Sequence, residues 1–279
     1  MFEKLIIRLS GINCNKINPI DYDILLRSPG QSLDEEMDSI RDKIYDKLFF
    51  SVILILISVT VASTFNLPSY FQIITSFIFL GYVIFLIQKN LPLMRNYKLG
   101  RDGERSVAQY LSVVARQLSK ENTNMNIYHD LVNEKKKFNI DHVVVSKKGI
   151  FIVETKMYRK DKGIRNTITS NGKELFINGQ KITSNIPLQV KGQVNWLQDE
   201  LLQKTGKKYE IIPTIAFVGW FVNAKKIDDI YFTSAKTLKH RLENKDRDVL
   251  YDDEELKRIT SCIHKLATVK NKKYIDICK

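Results

Sequence analysis

Asn139–Lys156 reads NIDHVVVSKKGIFIVETK. Its two halves, Asn139–Ser146 and Ile150–Lys156, are dense in the β-branched and aromatic residues that suit a pleated surface. Lys147-Lys148-Gly149 separates them, with a glycine free to take positive φ, so the stretch predicts a β-hairpin. If Lys147 and Lys148 form a two-residue loop, Asp141 lies directly opposite Glu154. A three-residue loop ending at Gly149 moves the partner by one residue and leaves the two carboxylates adjacent. Lys156 stands two residues beyond Glu154 and therefore shares its face. Two carboxylates a few ångströms apart repel each other unless one is protonated or a cation lies between them. An ammonium group supplies only part of that compensation. A hard divalent cation held by oxygen ligands resolves the conflict, and Mg²⁺ or Mn²⁺ suits such a site. An ordinary cross-strand pair of surface charges would show the same local pattern, so the weight of the reading comes from what surrounds it.

Towards the C-terminus the periodicities follow one another in order. Asn171-Gly172 and Asn178-Gly179 mark a further hairpin. Pro187–Leu202 reads as a helix with proline in its first turn. Ile211–Val218 (IIPTIAFV) is a continuous apolar run, as expected of a strand covered on both faces. Ser234–Leu242 and Asp252–Thr268 are helices opened by capping residues. On the other side, Gly103–Leu118 places Val107, Tyr110, Leu111 and Val114 on one helical stripe. The order predicts an α/β domain with a mixed β-sheet flanked by helices. Trp196 and Trp220 are expected in its core.

Further towards the N-terminus, Leu48–Gln88 contains no Asp, Glu, Lys or Arg over 41 residues. Leu48–Leu67 and Tyr70–Ile87 are each close to the roughly 20 apolar residues that a hydrocarbon core about 30 Å thick requires. The connection Asn66–Ser69 is short and uncharged, so a transmembrane helical hairpin is expected. Arg41, Lys43 and Lys47 precede it and Lys89, Arg95, Lys98 and Arg101 follow, which predicts both termini on the cytoplasmic side of the inner membrane. The segment starts too far along the chain, and lacks the small-residue pattern, for a signal peptide. Ser32 and Glu35 are spaced as a capping box in front of a charged amphipathic helix, Leu33–Lys47. The expected organisation is an N-terminal segment 1–47, a hairpin 48–88 and a domain 89–279. Cys14, Cys262 and Cys278 form no CxxC pair, so neither a disulfide framework nor a zinc site is expected.

Charge is distributed unevenly. Residues 1–47 carry 7 Lys and Arg against 9 Asp and Glu, whereas residues 89–279 carry 37 against 22, a net +15 within a chain of +13. The excess belongs to the domain after the membrane and attracts polyanions, either nucleic acid or an anionic leaflet. Lys135, Lys136 and Lys137, then Lys147 and Lys148, then Arg159, Lys160, Lys162 and Arg165 are expected around the carboxylates as phosphate contacts. No Gly-rich phosphate loop, no Ser/His/Asp order and no helicase-like motif occurs. His129, His142, His240 and His264 lack metal-ligand spacing, and His142 alternates to the face opposite Asp141.

Gly100-Arg101-Asp102-Gly103-Glu104-Arg105, Tyr128-His129-Asp130, Ile140-Asp141-His142-Val143-Val144-Val145, Gly149-Ile150-Phe151-Ile152-Val153-Glu154-Thr155-Lys156 and Pro187-Leu188-Gln189 follow in register. From about Leu99 to Val218 this series resembles the nuclease-related domain (NERD) family, within the restriction-endonuclease-like PD-(D/E)xK fold. The resemblance implies a metal-dependent phosphodiesterase core. It makes Asp141 and Glu154 ligands of Mg²⁺ or Mn²⁺, Glu104 a helical carboxylate contributing a further ligand, often through water, Lys156 the group that orients the water, and Gln189 a polar residue reaching the site. Met157–Gly163 departs from the family by being longer and more basic. The implied function is a membrane-anchored nuclease acting on DNA rather than RNA. The competing expectation is a non-catalytic nuclease fold that tethers nucleic acid or a partner protein at the bilayer. A homo-oligomer is compatible with either.

Overall fold

The computed structural model describes residues 25–120, 124–133, 138–183, 185–243 and 250–268. They fall into two compact units, Gly30–Arg105 and the rest.

The first unit is a helical hairpin. Helix α1 (Gln31–Thr64) runs without a break from the charged segment through the first apolar span, as the sequence suggests. Its start differs from expectation. The N-cap is Gly30 at φ +74°, with no side-chain cap bond, so Ser32 and Glu35 lie inside the helix and form no capping box. A Cβ at Gly30 would come within 2.8 Å of the Arg101 side chain. Glycine therefore answers both the left-handed backbone and the close approach. Asn66, at φ +51°, closes α1. Leu67 N donates to Ala62 O (2.9 Å) and Asn66 N to Ser63 O (3.4 Å), the paired bonds of a Schellman ending. Helix α2 (Ser69–Ser119) then returns. Asp34 accepts from Arg101 (3.0 Å) and from Arg105, tying the charged ends of the two helices together.

Both helices are long and apolar enough to cross a membrane, and only 6% of the most apolar window of each is buried within the protein. Phe50, Leu54, Phe77 and Ile78 are each about two-thirds exposed. That separates these helices from the core helices of a soluble protein, whose apolar residues are covered.

The second unit is a mixed α/β domain. Strands β1 (Met125–Asn133), β2 (Phe138–Ser146), β3 (Gly149–Lys156), β7 (Ile211–Phe217) and β9 (Tyr231–Ser234) form one sheet in the order β1-β2-β3-β7-β9, antiparallel through β3 and parallel beyond it. A smaller sheet, β6-β5-β4-β8, uses β4 (Thr167–Ser170), β5 (Leu175–Ile177), β6 (Gln180–Lys181) and β8 (Phe221–Ala224). The other helices are α3 (Ile186–Thr205), α4 (Leu238–Glu243) with a preceding 3₁₀ turn (Ala235–Thr237), and α5 (Asp253–Ala267). Alternation assigns the faces. Val143, Val145, Ile150 and Ile152 pack with Trp196, Leu197 and Leu201 of α3 and Ile259 and Ile263 of α5. Val144, Phe151 and Val153 pack on the other face with Val107, Leu111 and Val114 of α2 and Leu238 of α4.

The expected caps hold for the last two helices. Ser234 and Thr237 make a reciprocal capping box, and Asp252 accepts from Glu255 N. Strands β1, β8 and β9 were not anticipated from their sequences. Residues 25–29 also belong to this unit and not to a separate N-terminal segment. Leu26 bridges Thr268, and Arg27 N donates to Ala267 O at 2.9 Å.

Candidate active site

The β2–β3 ladder pairs Ser146 with Gly149 and His142 with Val153, so the loop is the two-residue Lys147-Lys148. One step past the last ladder pair, that register sets Asp141 opposite Glu154. There the strands part, and the Asp141 carboxylate accepts the Thr155 amide at 2.7 Å. Asp141 and Glu154 both point to the face covered by α3. They are 6% and 2% exposed, whereas ionised carboxylates are almost never buried without partners.

The partners of Glu154 come from Lys156 and α3. Lys156 Nζ lies 2.7 Å from Glu154 Oε1, and Gln189 Nε2 donates to the same oxygen at 2.9 Å. Lys156 also donates to Gln189 Oε1 at 3.2 Å, closing a triangle. Gln193 Nε2 donates to Glu154 Oε2 at 2.7 Å and to the Asn139 carbonyl at 2.9 Å. Burial pulls the Lys156 pKa down, but the charges of Glu154 and Asp141 and the bond to Glu154 outweigh it and hold the pKa above its ordinary value. Lys156 is therefore a fixed positive charge at neutral pH.

Gln193 was not anticipated. It lies one turn after Gln189 on the same helix face, fully buried, and the i,i+4 spacing of two glutamines facing the carboxylate strand is the signal that marks it. Its Oε1 is a buried acceptor with no hydrogen-bond partner among the described residues.

The other expected residues are placed as follows. Glu104 lies on α2, one turn before Val107, on the helix that covers the opposite face of the sheet. Among the described residues no group of three or more His, Cys, Asp or Glu side chains is gathered as a metal cage. Arg159, Lys160, Lys162 and Arg165 are exposed on the loop leaving Lys156, and Arg165 stacks on Phe221 at 3.8 Å. Lys147 and Lys148 sit at the hairpin tip, away from the carboxylates. Counted from Asp141 to Lys147, or from Glu154 to Lys148, the separation is six residues, at about 3.3 Å each roughly 20 Å, so they do not flank the carboxylates, and Lys147 pairs instead with Asp253 at 2.7 Å. Lys135, Lys136 and Lys137 lie outside the described residues.

His142 is fully buried on the face opposite Asp141. Its Nδ1 lies 2.8 Å from His129 Nδ1 and its Nε2 3.2 Å from Thr155 Oγ1. In the Nδ1–Nδ1 contact one ring donates and the other accepts. Burial first, and the neighbouring ring second, hold His142 well below its usual pKa; burial lowers His129 to about 4.

The fold and site together define a mixed α/β domain with an Asp, a Glu and a Lys gathered at the carboxyl end of a parallel strand, behind two long apolar helices. Residues 99–218 match the family model of the nuclease-related domain, NERD. No curated protein and no solved structure matches the chain.

Proposed function

We propose that this protein is a metal-dependent nuclease of the PD-(D/E)xK type, anchored in the membrane and hydrolysing phosphodiester bonds in DNA at the cytoplasmic face. The observation that carries the reading is the Asp141–Glu154–Lys156 set on one face of β2 and β3, supported from α3 by Gln189 and Gln193. The donor set fits a hard divalent cation. Two buried carboxylates face one ammonium, which leaves a net negative charge, every donor is oxygen, and the orphaned Gln193 oxygen stands beside Glu154. Asp141 and Glu154 would hold Mg²⁺ or Mn²⁺; Glu104, on the helix that covers the opposite face of the sheet, is not counted among their partners. When bound, such an ion lowers the pKa of water and offsets charge on the phosphate.

The protein's own groups have separable roles. Gln193 fixes one Glu154 oxygen from behind. Gln189 holds Lys156 and Glu154 in a common plane of hydrogen bonds. Lys156 carries its charge and donors to the phosphate oxygens and orients the attacking water. Arg159, Lys160, Lys162 and Arg165 would bind backbone phosphates without regard to sequence.

Membrane anchoring is supported by the exposed apolar helices. The compact unit formed by residues 25–29 and 106–268 supports a reading in which both ends of the hairpin lie on one side of the bilayer. The basic flanks select the cytoplasm.

The test is plasmid cleavage by the full chain in nanodiscs, with Mg²⁺, Mn²⁺ or chelator. Cleavage should require metal and vanish in Glu154→Ala and Asp141→Ala, while DNA binding survives and weakens steeply with salt. DNA bound but left intact by the wild type, under every metal condition, would favour the non-catalytic tether.

A further inference from the structure

Arg27 lies outside the segment 99–218, four residues before the first helix of the apolar hairpin, yet its side chain is only 10% exposed. Its guanidinium meets Asp130, which is fully buried, through Nε at 2.8 Å and Nη2 at 2.7 Å. Asp130 has φ +51° within β1, a backbone state that a non-glycine residue holds only when its surroundings fix it. The other Asp130 oxygen accepts from Asn139 Nδ2 at 2.7 Å. The Asn139 carbonyl accepts from Gln193 at 2.9 Å, and Gln193 reaches Glu154 Oε2 at 2.7 Å. A hydrogen-bonded chain thus runs Arg27–Asp130–Asn139–Gln193–Glu154, nearly all of it removed from water.

We propose that Arg27 is a positioning residue for Glu154, so that the arm leading into the membrane hairpin completes the active site of the domain that follows it. The inference rests on the nuclease reading above. Register gives it a reason. His129 pairs with His142 and Leu131 with Ile140, which sets Asp130 opposite Asp141. Three carboxylates, Asp130, Asp141 and Glu154, therefore stand side by side across three strands. Arg27 neutralises the outermost one and holds it as an acceptor for Asn139. Without that guanidinium, Asp130 loses the cation that holds it in place, and Asn139 loses the contact that fixes the carbonyl serving Gln193. Groups that orient metal ligands from behind are worth about 10- to 100-fold in metal affinity. A buried network loses more than one bond when an end is removed.

Mn²⁺ binding to the full chain in nanodiscs, followed by electron paramagnetic resonance and titration calorimetry, tests this without relying on turnover. Arg27→Gln should raise the Mn²⁺ dissociation constant about tenfold, and Arg27→Lys, which keeps the charge but not the two-pronged geometry, should fall between. Arg27→Gln combined with Asp130→Asn removes both charges and leaves an acceptor for Asn139, so affinity should recover towards wild type. Lys207→Gln, which breaks an exposed pair with Glu255, should leave Mn²⁺ binding unchanged. If Arg27→Gln folds and binds Mn²⁺ as the wild type does, the coupling is wrong. Tighter binding would overturn it too, since that result reports the bare Asp130 charge acting through space and not a hydrogen-bonded relay. A wild type that takes up no Mn²⁺ overturns the nuclease reading itself, and the coupling with it.

Discussion

At the scale of single residues, Glu154 and His129 show burial acting in opposite ways. Glu154 is buried with partners, since Lys156, Gln189 and Gln193 meet its two oxygens. Gln193→Leu keeps the helix and roughly the volume but leaves Glu154 Oε2 and the Asn139 carbonyl each short of a donor. It should cost about 1–3 kcal/mol in thermal unfolding and more in cleavage than in DNA affinity, since Gln193 touches the carboxylate and not the phosphates. For His129 burial wins: offset only in part by the charge of Asp130, it lowers the pKa from 6.5 to about 4. The unfolded chain binds this proton more readily, so the stability is complete above about pH 6.5 and is lost as pH falls towards 4. Melting temperature should decline across that window, and His129→Asn should flatten the decline. A slope that His129→Asn leaves unchanged would assign it to other groups.

At the scale of elements, Asn178 does three things. It adopts φ +48° beside Gly179 at +81°, the left-handed pair of a type I′ turn. Its Oδ1 accepts the Thr167 amide at 2.8 Å, and its Nδ2 donates to Asp161 at 2.8 Å and to Asn166 at 3.1 Å. Asn166 in turn holds Asp161 N and O and the Ile164 carbonyl. The small-sheet turn thereby pins the basic loop 157–166 against its own return strand. Asn178→Gly preserves the turn and cuts the tether. Amide exchange at Asp161 and Thr167 should accelerate while that of β2 and β3 does not, and DNA affinity should weaken with little loss of melting temperature. Much of this architecture is legible in the sequence. The β2–β3 hairpin follows from Lys147-Lys148-Gly149, which leaves its loop at two residues or three, and β7 follows from an apolar run covered on both faces. What escapes has physical causes. Strand β1 (MNIYHDLVN) breaks alternation at Asp130, where the left-handed residue lets Tyr128 and Leu131 face the same core. Strands β8 and β9 are four residues each, too short for a period to register. Gln193 belongs to a long-range arrangement, and only the face shared with Gln189 hints at it.

At the scale of the whole molecule, the apolar hairpin interrupts a domain and does not merely precede it. Residues 25–29 return to the unit formed after the second span, through the Leu26–Thr268 bridge and the Arg27–Asp130 pair. No period or motif announces this, because a contact between positions 27 and 130 leaves no local trace in either neighbourhood. It changes what a soluble version of the protein should contain. A fragment 89–279 keeps every residue of the Asp141–Glu154–Lys156 set but lacks Arg27, and it leaves Asp130 buried without its guanidinium. An alternative deletes only 48–88 and joins Lys47 to Lys89 with a short Gly-rich loop, keeping the arm and the charged helix ends that Asp34 ties to Arg101 and Arg105. Both lack the two apolar helices, and among the described residues no other stretch is long and apolar enough to span a bilayer. The looped protein should bind Mn²⁺ and cleave plasmid at the rate of the full chain in nanodiscs, because neither apolar stretch carries an Asp, Glu, Lys, Arg or His that could take part in the chemistry. The 89–279 fragment should bind Mn²⁺ about tenfold more weakly and melt at a lower temperature. Adding residues 25–29 as a separate peptide should recover little, since the entropy saved by covalent connection is lost. Equal behaviour of the two soluble proteins would mean that the arm is an ornament of the fold and that residues 89–279 alone make up the functional unit.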